Sequence, residues 1–80
     1  MEIKVLGGGC AACEKLHETV QDAVKELKIE AEIHYITDMS EIMKAGIMST
    51  PALIVNGKVK LMGRVPKRKE VMQIVSDEFQ

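Results

Sequence analysis

The chain has 80 residues, of which 46% are apolar and 29% are charged, and its net charge is −1. This length suits one small domain spanning residues 1–80. A net charge near zero argues against nucleic acid or a membrane surface as the partner, and no apolar run reaches membrane-spanning length. Aromatic residues are almost absent. We therefore expect the core to be aliphatic, with methionine as filler at Met39, Met43, Met48 and Met62.

The first third of the chain predicts a strand followed by a long helix. Residues 3–6 alternate between two faces, and the glycines of residues 7–9 end that pattern. From Cys10 onward, apolar positions recur at steps of three and four, which predicts one buried face of a helix over about residues 11–28. The members of this apolar stripe are Cys13, Leu16, Val20, Val24 and Leu27.

The middle of the chain predicts an edge strand and a short helix. Residues 30–36 alternate between apolar and polar side chains, as expected of a strand with one solvated face. Asp38 followed by Glu41 is the pattern of a capping box and opens a short helix. Gly46 is well placed to end that helix.

The last third predicts a hairpin and a final helix. The apolar run 52–55 suits an interior strand, and Asn56-Gly57 predicts a two-residue type I′ turn. The return strand, residues 58–62, is expected at an edge, with lysines facing solvent and Val59 and Leu61 facing inward. Pro66 suits the start of the last helix, whose apolar side is expected to comprise Val71, Ile74, Val75 and Phe79.

These elements define an α/β fold in the order β-α-β-α-β-β-α. The first two strands must be parallel, because a helix joins them, and the last two form an antiparallel hairpin. With residues 30–36 and 58–62 as edges, the first and third strands lie in the middle. The prediction is a four-stranded mixed sheet flanked by helices.

The N-terminus has neither the basic flank nor the long apolar stretch of a secretory signal, so a cytoplasmic location is expected. Thiols are kept reduced in that compartment, and structural disulfides are rare there. A bridge between Cys10 and Cys13, the two cysteines of the chain, would close a four-residue loop. By reducing the entropy of the unfolded chain, such a bridge would stabilise the folded state by about 2 kcal/mol at best. A chemical role therefore explains the pair better than a structural one.

The position of the cysteines predicts thiol–disulfide exchange. Cys10 falls at the start of the first helix, where free N–H groups and the helix dipole favour a thiolate. Such positions lower the cysteine pKa from about 8.5 to between roughly 3.5 and 7.5. Cys13 lies within disulfide reach on the same face and begins the apolar stripe, so we expect it to be the more buried thiol. Cys10 would attack a substrate disulfide, and Cys13 would then attack Cys10 and release the reduced substrate.

Small residues surround this pair. The glycines of residues 7–9 leave room for the backbone of another protein, so we expect Gly9, Ala11 and Ala12 to border the substrate. Thr50-Pro51 immediately precedes the predicted interior strand, where proline cannot donate to the ladder. A tight turn with a cis bond is one way to accommodate it.

Three segments carry a family resemblance: GCAAC (9–13), GIMSTPALIVNG (46–57) and LMGRVPKRKEV (61–71). Together they resemble the small thioredoxin/glutaredoxin-like redox-active disulfide proteins of archaea and bacteria, over nearly the whole chain. The resemblance implies a thioredoxin-like fold and a cofactor-free protein dithiol–disulfide oxidoreductase. It also implies protein disulfide substrates and a separate reductase, and we expect a monomer.

For the site, the resemblance implies that Pro51 is cis and lies against the dithiol. It also implies that Thr50 offers its backbone to the substrate peptide. The chain departs from thioredoxins at Ala11-Ala12, which replaces Gly-Pro, and in having no acid within residues 3–6. It departs from glutaredoxins at Gly9, where a lysine often precedes the cysteines.

Metal binding is the alternative. Two thiolates at this spacing suit Cu(I), and small copper-carrying domains also place such a pair between a first strand and a first helix. Their order is β-α-β-β-α-β, however, and they lack the Thr-Pro. A zinc site would need Cys10, Cys13, His17 and His34 as its four ligands and ranks lower. We therefore expect no metal.

Six bases fall within residues 58–69, and the first 50 residues carry an excess of four acidic charges. This basic stretch is interpreted as a solvated face. Docking of an acidic partner on Lys67, Arg68 and Lys69 is the alternative.

Overall fold

The computed structural model of the protein describes residues 1–79 and contains the predicted elements in the predicted order. They are β1 (Glu2–Leu6), α1 (Ala11–Leu27), β2 (Glu32–Ile36), α2 (Met39–Lys44), β3 (Ala52–Val55), β4 (Lys58–Met62) and α3 (Arg68–Phe79). None of these helices is long and apolar enough to cross a membrane. The order also differs from the β-α-β-β-α-β of the copper-carrying alternative.

The four strands form one mixed sheet in the order β2-β1-β3-β4. β1 is parallel to β2 and antiparallel to β3, and β3 is antiparallel to β4. The α/β class and the central position of β1 and β3 are therefore confirmed. Because Leu6 pairs with Ala52, the end of β1 lies beside the start of β3, and this end of the sheet carries the cysteines.

Each face of the sheet has its own core. Alternation along β1 directs Ile3 and Val5 to the face covered by α1 and α3, and Leu6 to the face covered by α2. The first cluster contains Ile3, Val5, Leu16, Val20, Ala23, Val24, Leu53, Val55, Leu61, Val71 and Val75. The second contains Leu6, Ile42, Ile47, Ala52 and Ile54.

Local sequence signals account for the turns. The Oδ1 of Asp38 accepts a hydrogen bond from the Ser40 N–H at 2.8 Å and caps α2. Gly46 follows that helix with a φ of 78°. In the hairpin turn, Asn56 and Gly57 have φ values of 50° and 80°, which is the left-handed conformation that a type I′ turn requires at both positions. This turn prediction is confirmed.

The predictions for the start of α3 and for the inward face of β4 are wrong. Pro66 does not start α3, which begins at Arg68. Pro66 is buried in the preceding connection, and the Lys67 carbonyl accepts the hydrogen bond of the first helical turn from Val71 at 3.1 Å. Val59 does not face inward but is 48% exposed, because an irregularity in the β3–β4 pairing shifts the register between Leu53 and Ile54.

The apolar residues of several elements are also more exposed than expected. Phe79 lies at the end of α3 and is exposed rather than part of its buried side. The four methionines expected as core filler are exposed as well: Met39 by 58%, Met43 by 71%, Met48 by 93% and Met62 by 46%. Aliphatic side chains fill both cores without them, and α2 buries Ile42 instead.

Candidate active site

Cys10 is the N-cap residue of α1. Its backbone is extended, with φ −78° and ψ 163°, and its Sγ accepts a hydrogen bond from the Cys13 N–H at 3.2 Å. One of the free N–H groups at the start of the helix is thus directed at this sulfur, and such donors stabilise negative charge. Cys10 is exposed, so its sulfur is available to another molecule.

Cys13 has the opposite environment. It is fully buried and forms a disulfide with Cys10, with a Cα–Cα distance of 5.1 Å. This distance lies within the usual range for disulfides. The predicted contrast between an exposed first cysteine and a buried second one is what the structure shows.

Gly7 is a contact residue of Cys13 that sequence reasoning did not single out. A Cβ added at Gly7 would overlap both Sγ and Cβ of Cys13, whereas one added at Gly8 would meet only the Met39 Sδ, at 4.0 Å. The Gly7 N–H also donates to the Ile36 carbonyl at 2.9 Å. Gly7 therefore lets the backbone after β1 pass directly against the buried sulfur.

Thr50 and Pro51 lie at the same end of the sheet as the cysteines. The bond between them is cis, as the resemblance implied, with Pro51 buried and Thr50 exposed. Pro51 directly precedes Ala52, the residue paired with Leu6. The chain therefore enters β3 beside the point where β1 leads into the cysteine loop.

Gly63, which directly follows β4, also lies at this end of the sheet. Its N–H donates to the Pro51 carbonyl at 2.8 Å. It has a φ of 83°, and an added Cβ would lie 3.3 Å from the Ser49 Cβ. Nothing local in the sequence predicts this contact, because Gly63 reaches the Ser49–Pro51 segment only through the pairing of β3 with β4.

The remaining predicted residues lie around Cys10 without covering it. Gly9, Ala11 and Ala12 are exposed. Gly9 has a φ of 82°, and an added Cβ would meet no atom within 4 Å. Small side chains and open space therefore border the exposed cysteine.

A stacked pair of rings lies one turn further along α1. His17 and Tyr35 have ring centroids 4.6 Å apart and an interplanar angle of 28°. The Tyr35 hydroxyl is buried and finds no hydrogen-bond partner within residues 1–79. Burial raises the pKa of Tyr35, and the carboxylate of Glu14 raises it further. Tyr35 was expected only as a strand residue, because nothing local in the sequence places it against α1.

The four residues that a zinc site would need are not brought together. His34 lies on β2 with its Nε2 3.5 Å from the Glu32 carboxylate, and His17 stacks on Tyr35. Within the described chain, the closely spaced group of potential ligands is Glu2, Glu32 and His34, which contains neither cysteine.

The basic stretch is largely paired within the chain. Four of its six bases make ion pairs: Arg64 with Glu70, Arg68 with Glu26, and both Lys58 and Lys60 with Glu78. Of the three bases in the docking alternative, Arg68 is paired, whereas Lys67 and Lys69 make no ion pair within residues 1–79.

The site consists of an exposed and a buried cysteine that form a disulfide at the start of a helix, at the same end of the sheet as the cis-proline loop. This arrangement defines a redox-active disulfide on an α/β scaffold. Comparison with known protein families matches residues 1–76 to the thioredoxin domain. The chain is 43% identical over 76 residues to a thioredoxin of Methanothermobacter thermautotrophicus, covering 95% of this chain and 99% of that protein. It is 34% identical over 71 residues to a thioredoxin of Methanocaldococcus jannaschii, covering 89% and 81%.

A probable thioredoxin of Archaeoglobus fulgidus is 32% identical over 69 residues, covering 82% of this chain and 75% of that protein. The chain therefore belongs to the thioredoxin family, and it is a thiol–disulfide oxidoreductase.

Proposed function

We propose that Cys10 is the attacking thiol and Cys13 the resolving thiol in the reduction of protein disulfides. The observation that carries this assignment is the contrast between the two sulfurs. Cys10 is exposed and accepts a backbone hydrogen bond, whereas Cys13 is buried beneath it. A substrate can reach only the first of them, and the second is in place to take over the bond.

The exchange proceeds in two displacements. The Cys10 thiolate attacks one sulfur of the substrate disulfide, and the other substrate sulfur leaves as a thiolate and takes up a proton. Cys13 then loses its proton and attacks Cys10, which forms the intramolecular disulfide and releases the second substrate thiol. Two electrons pass to the substrate, and a separate reductase returns two electrons to the Cys10–Cys13 disulfide.

The surrounding residues bind the substrate. The exposed backbone at Thr50, held by the buried Pro51, accepts an extended substrate segment beside Cys10. Gly9, Ala11 and Ala12 leave the approach to the sulfur open. The protein works as a single domain over residues 1–80, as a monomer in the cytoplasm, where a reducing pool sustains the dithiol.

Trapping of the mixed disulfide tests the roles of the two cysteines. With Cys13→Ser, we expect a stable covalent adduct with a disulfide-containing protein, detected as a mass increase that a reductant removes. With Cys10→Ser, we expect no adduct and no reduction, because the remaining thiol is buried. An adduct that forms on Cys10→Ser but not on Cys13→Ser would reverse the assignment.

A further inference from the structure

One half of the sheet face beneath α2 presents polar side chains to solvent. Alternation along β1 places Glu2 on the same face as Leu6, and alternation along β2 places Glu32 and His34 on the same face as Ile36. Leu6 and Ile36 pack in the cluster beneath α2, whereas the other three side chains are exposed. The start of this face is therefore accessible to a ligand.

The strand register brings Glu2, Glu32 and His34 together. Glu2 pairs directly with Glu32, and His34 lies two residues further along β2 on the same face. A carboxylate oxygen of each glutamate and a ring nitrogen of His34 all lie within 4.8 Å of one another. The His34 Nε2 is 3.5 Å from the Glu32 Oε2. Donor atoms about 2.1 Å from a tetrahedral ion lie about 3.4 Å apart, so modest side-chain rotations would bring all three onto one ion.

The donor atoms indicate the class of ion. Two carboxylates and an imidazole suit a divalent first-row transition metal such as Zn²⁺, whereas Mg²⁺ and Ca²⁺ take oxygen ligands. The imidazole of His34 therefore distinguishes this group from an ordinary cluster of acidic residues. Three protein ligands also leave a fourth position for water.

The charges around this group favour a cation. Glu2 and Glu32 are direct neighbours on paired strands, and like charges in that arrangement repel each other. Lys4 offsets this repulsion in part, with its Nζ 3.7 Å from the Glu2 Oε1, but exposed ion pairs of this kind contribute little to stability. A surface pocket of about 550 Å³ beside the two glutamates adds a third acid, and its lining is Met1, Glu2, Glu30, Ala31, Glu32 and Asn56.

We propose that Glu2, Glu32 and His34 form a binding site for a divalent transition-metal ion. The ion joins β1 to the edge strand β2 and stabilises the folded chain by binding to it. The site is separate from the redox centre, because Glu2 begins β1 whereas Cys10 follows the end of that strand. Neither cysteine is a ligand.

Zinc binding to the oxidised protein tests this proposal, because the Cys10–Cys13 disulfide leaves no free thiol to compete for the ion. In equilibrium dialysis we expect one Zn²⁺ per chain, and excess Mg²⁺ should not displace it, since imidazole favours the transition metal. Zinc at about ten times its Kd should raise the Tm by about 5–10 °C. A chelator should reverse that rise.

Variants assign the binding to these ligands. His34→Gln and Glu32→Gln should each weaken zinc binding at least about tenfold, and their Tm values without zinc report whether they are folded. His17→Gln is the matched histidine control and should bind as wild type does, because His17 stacks on Tyr35. Glu30→Gln should weaken binding far less than the loss of a ligand, because Glu30 adds charge to the pocket but no ligand atom.

The outcomes separate a coordinated ion from a loosely held one. A Tm that zinc does not raise, or equal losses of binding in His17→Gln and His34→Gln, would overturn the site. Displacement of zinc by Mg²⁺, or a loss in Glu30→Gln as large as in Glu32→Gln, would leave an adventitious ion only and would also overturn it. These measurements use the oxidised protein and involve no exchange, so their result is independent of the roles proposed for Cys10 and Cys13.

Discussion

Two cysteines three residues apart acquire different chemistry from their immediate surroundings. Cys10 precedes the first helical residue and receives an N–H donor, whereas Cys13 lies inside the first turn and faces the sheet. Position in the turn therefore decides which thiol meets the substrate. Gly7 completes this arrangement, because the space that a side chain would occupy is taken by the buried sulfur.

A methyl group at Gly7 tests how tightly that space is packed. Gly7→Ala should destabilise the oxidised protein by about 1–3 kcal/mol, because the added Cβ must displace Cys13 or the backbone. Denaturant titration measures the change. Gly8→Ala is the matched control and should have little effect, since its added Cβ meets only Met39, at 4.0 Å. Equal unfolding midpoints for the two variants would contradict the packing argument.

The Tyr35 hydroxyl makes a second prediction at the scale of one residue. It is buried and has no hydrogen-bond partner among residues 1–79, and leaving such a group unsatisfied costs about 1–3 kcal/mol. Tyr35→Phe removes the hydroxyl but keeps the ring that stacks on His17. We expect unchanged or higher stability in thermal unfolding, and lower stability for Tyr35→Leu, which loses the ring. Marked destabilisation by Tyr35→Phe would show that the hydroxyl has a hydrogen-bond partner.

At the scale of elements, α3 is tied to the edge strand β4 by charge. Glu78, near the end of α3, pairs with Lys58 and Lys60 on β4. The hydrogen bond from Lys60 holds the pKa of Glu78 below its usual 4.5, and the interaction with Lys58 adds to this. These contacts join α3 to a strand that buries few side chains. Because the pairing of β4 with β3 is irregular, Leu61 is the one residue of β4 that is buried.

This ion pair predicts part of the acid sensitivity of the fold. Because the pKa of Glu78 is lower in the folded than in the unfolded chain, its contribution is present above pH 4.5 and is lost as the pH falls through the lowered value. Lys60→Met should reduce stability at neutral pH and flatten the decline below pH 4.5 in denaturant titrations. Lys69→Met, at a residue with no ion pair in the described chain, should leave the decline unchanged. Identical pH profiles for Lys60→Met and wild type would rule out this pairing.

At the scale of the whole molecule, the sheet separates two clusters of buried side chains. Most of the buried residues belong to the cluster on one side of the sheet. The larger cluster joins β1 and β3 to α1 and α3, and the smaller one lies beneath α2. The cysteines lie at the end of β1 beside the start of β3, so the paired strands of the sheet position the site.

The larger core should therefore control global stability. Leu16 is fully buried in it, and Leu16→Ala should cost about 2–5 kcal/mol. That is a large share of the total expected for a domain of this size, at about 0.05–0.15 kcal/mol per residue. Leu27→Ala, at a half-buried position of the same helix, should cost less. Similar losses from the two variants in denaturant titration would contradict the dominance of this core.

The sequence by itself determined the order of elements, the strand neighbours and the redox pair. Local signals carry these features: a change of period after the glycines, the Asn56-Gly57 turn and the cysteine spacing. The start of α3, the orientation of Val59 and the exposure of the methionines could not be predicted, because propensity does not report what packs against a residue.

Only the tertiary structure decided which parts of the chain meet at Cys10. The contacts of Gly7 with Cys13 and of Gly63 with the Pro51 loop, and the stacking of Tyr35 on His17, depend on strand pairing between residues far apart in sequence. The tertiary structure also leaves exposed the four methionines that were expected in the core. Sequence patterns record the preferences of single elements, whereas the site forms where the ends of several elements come together.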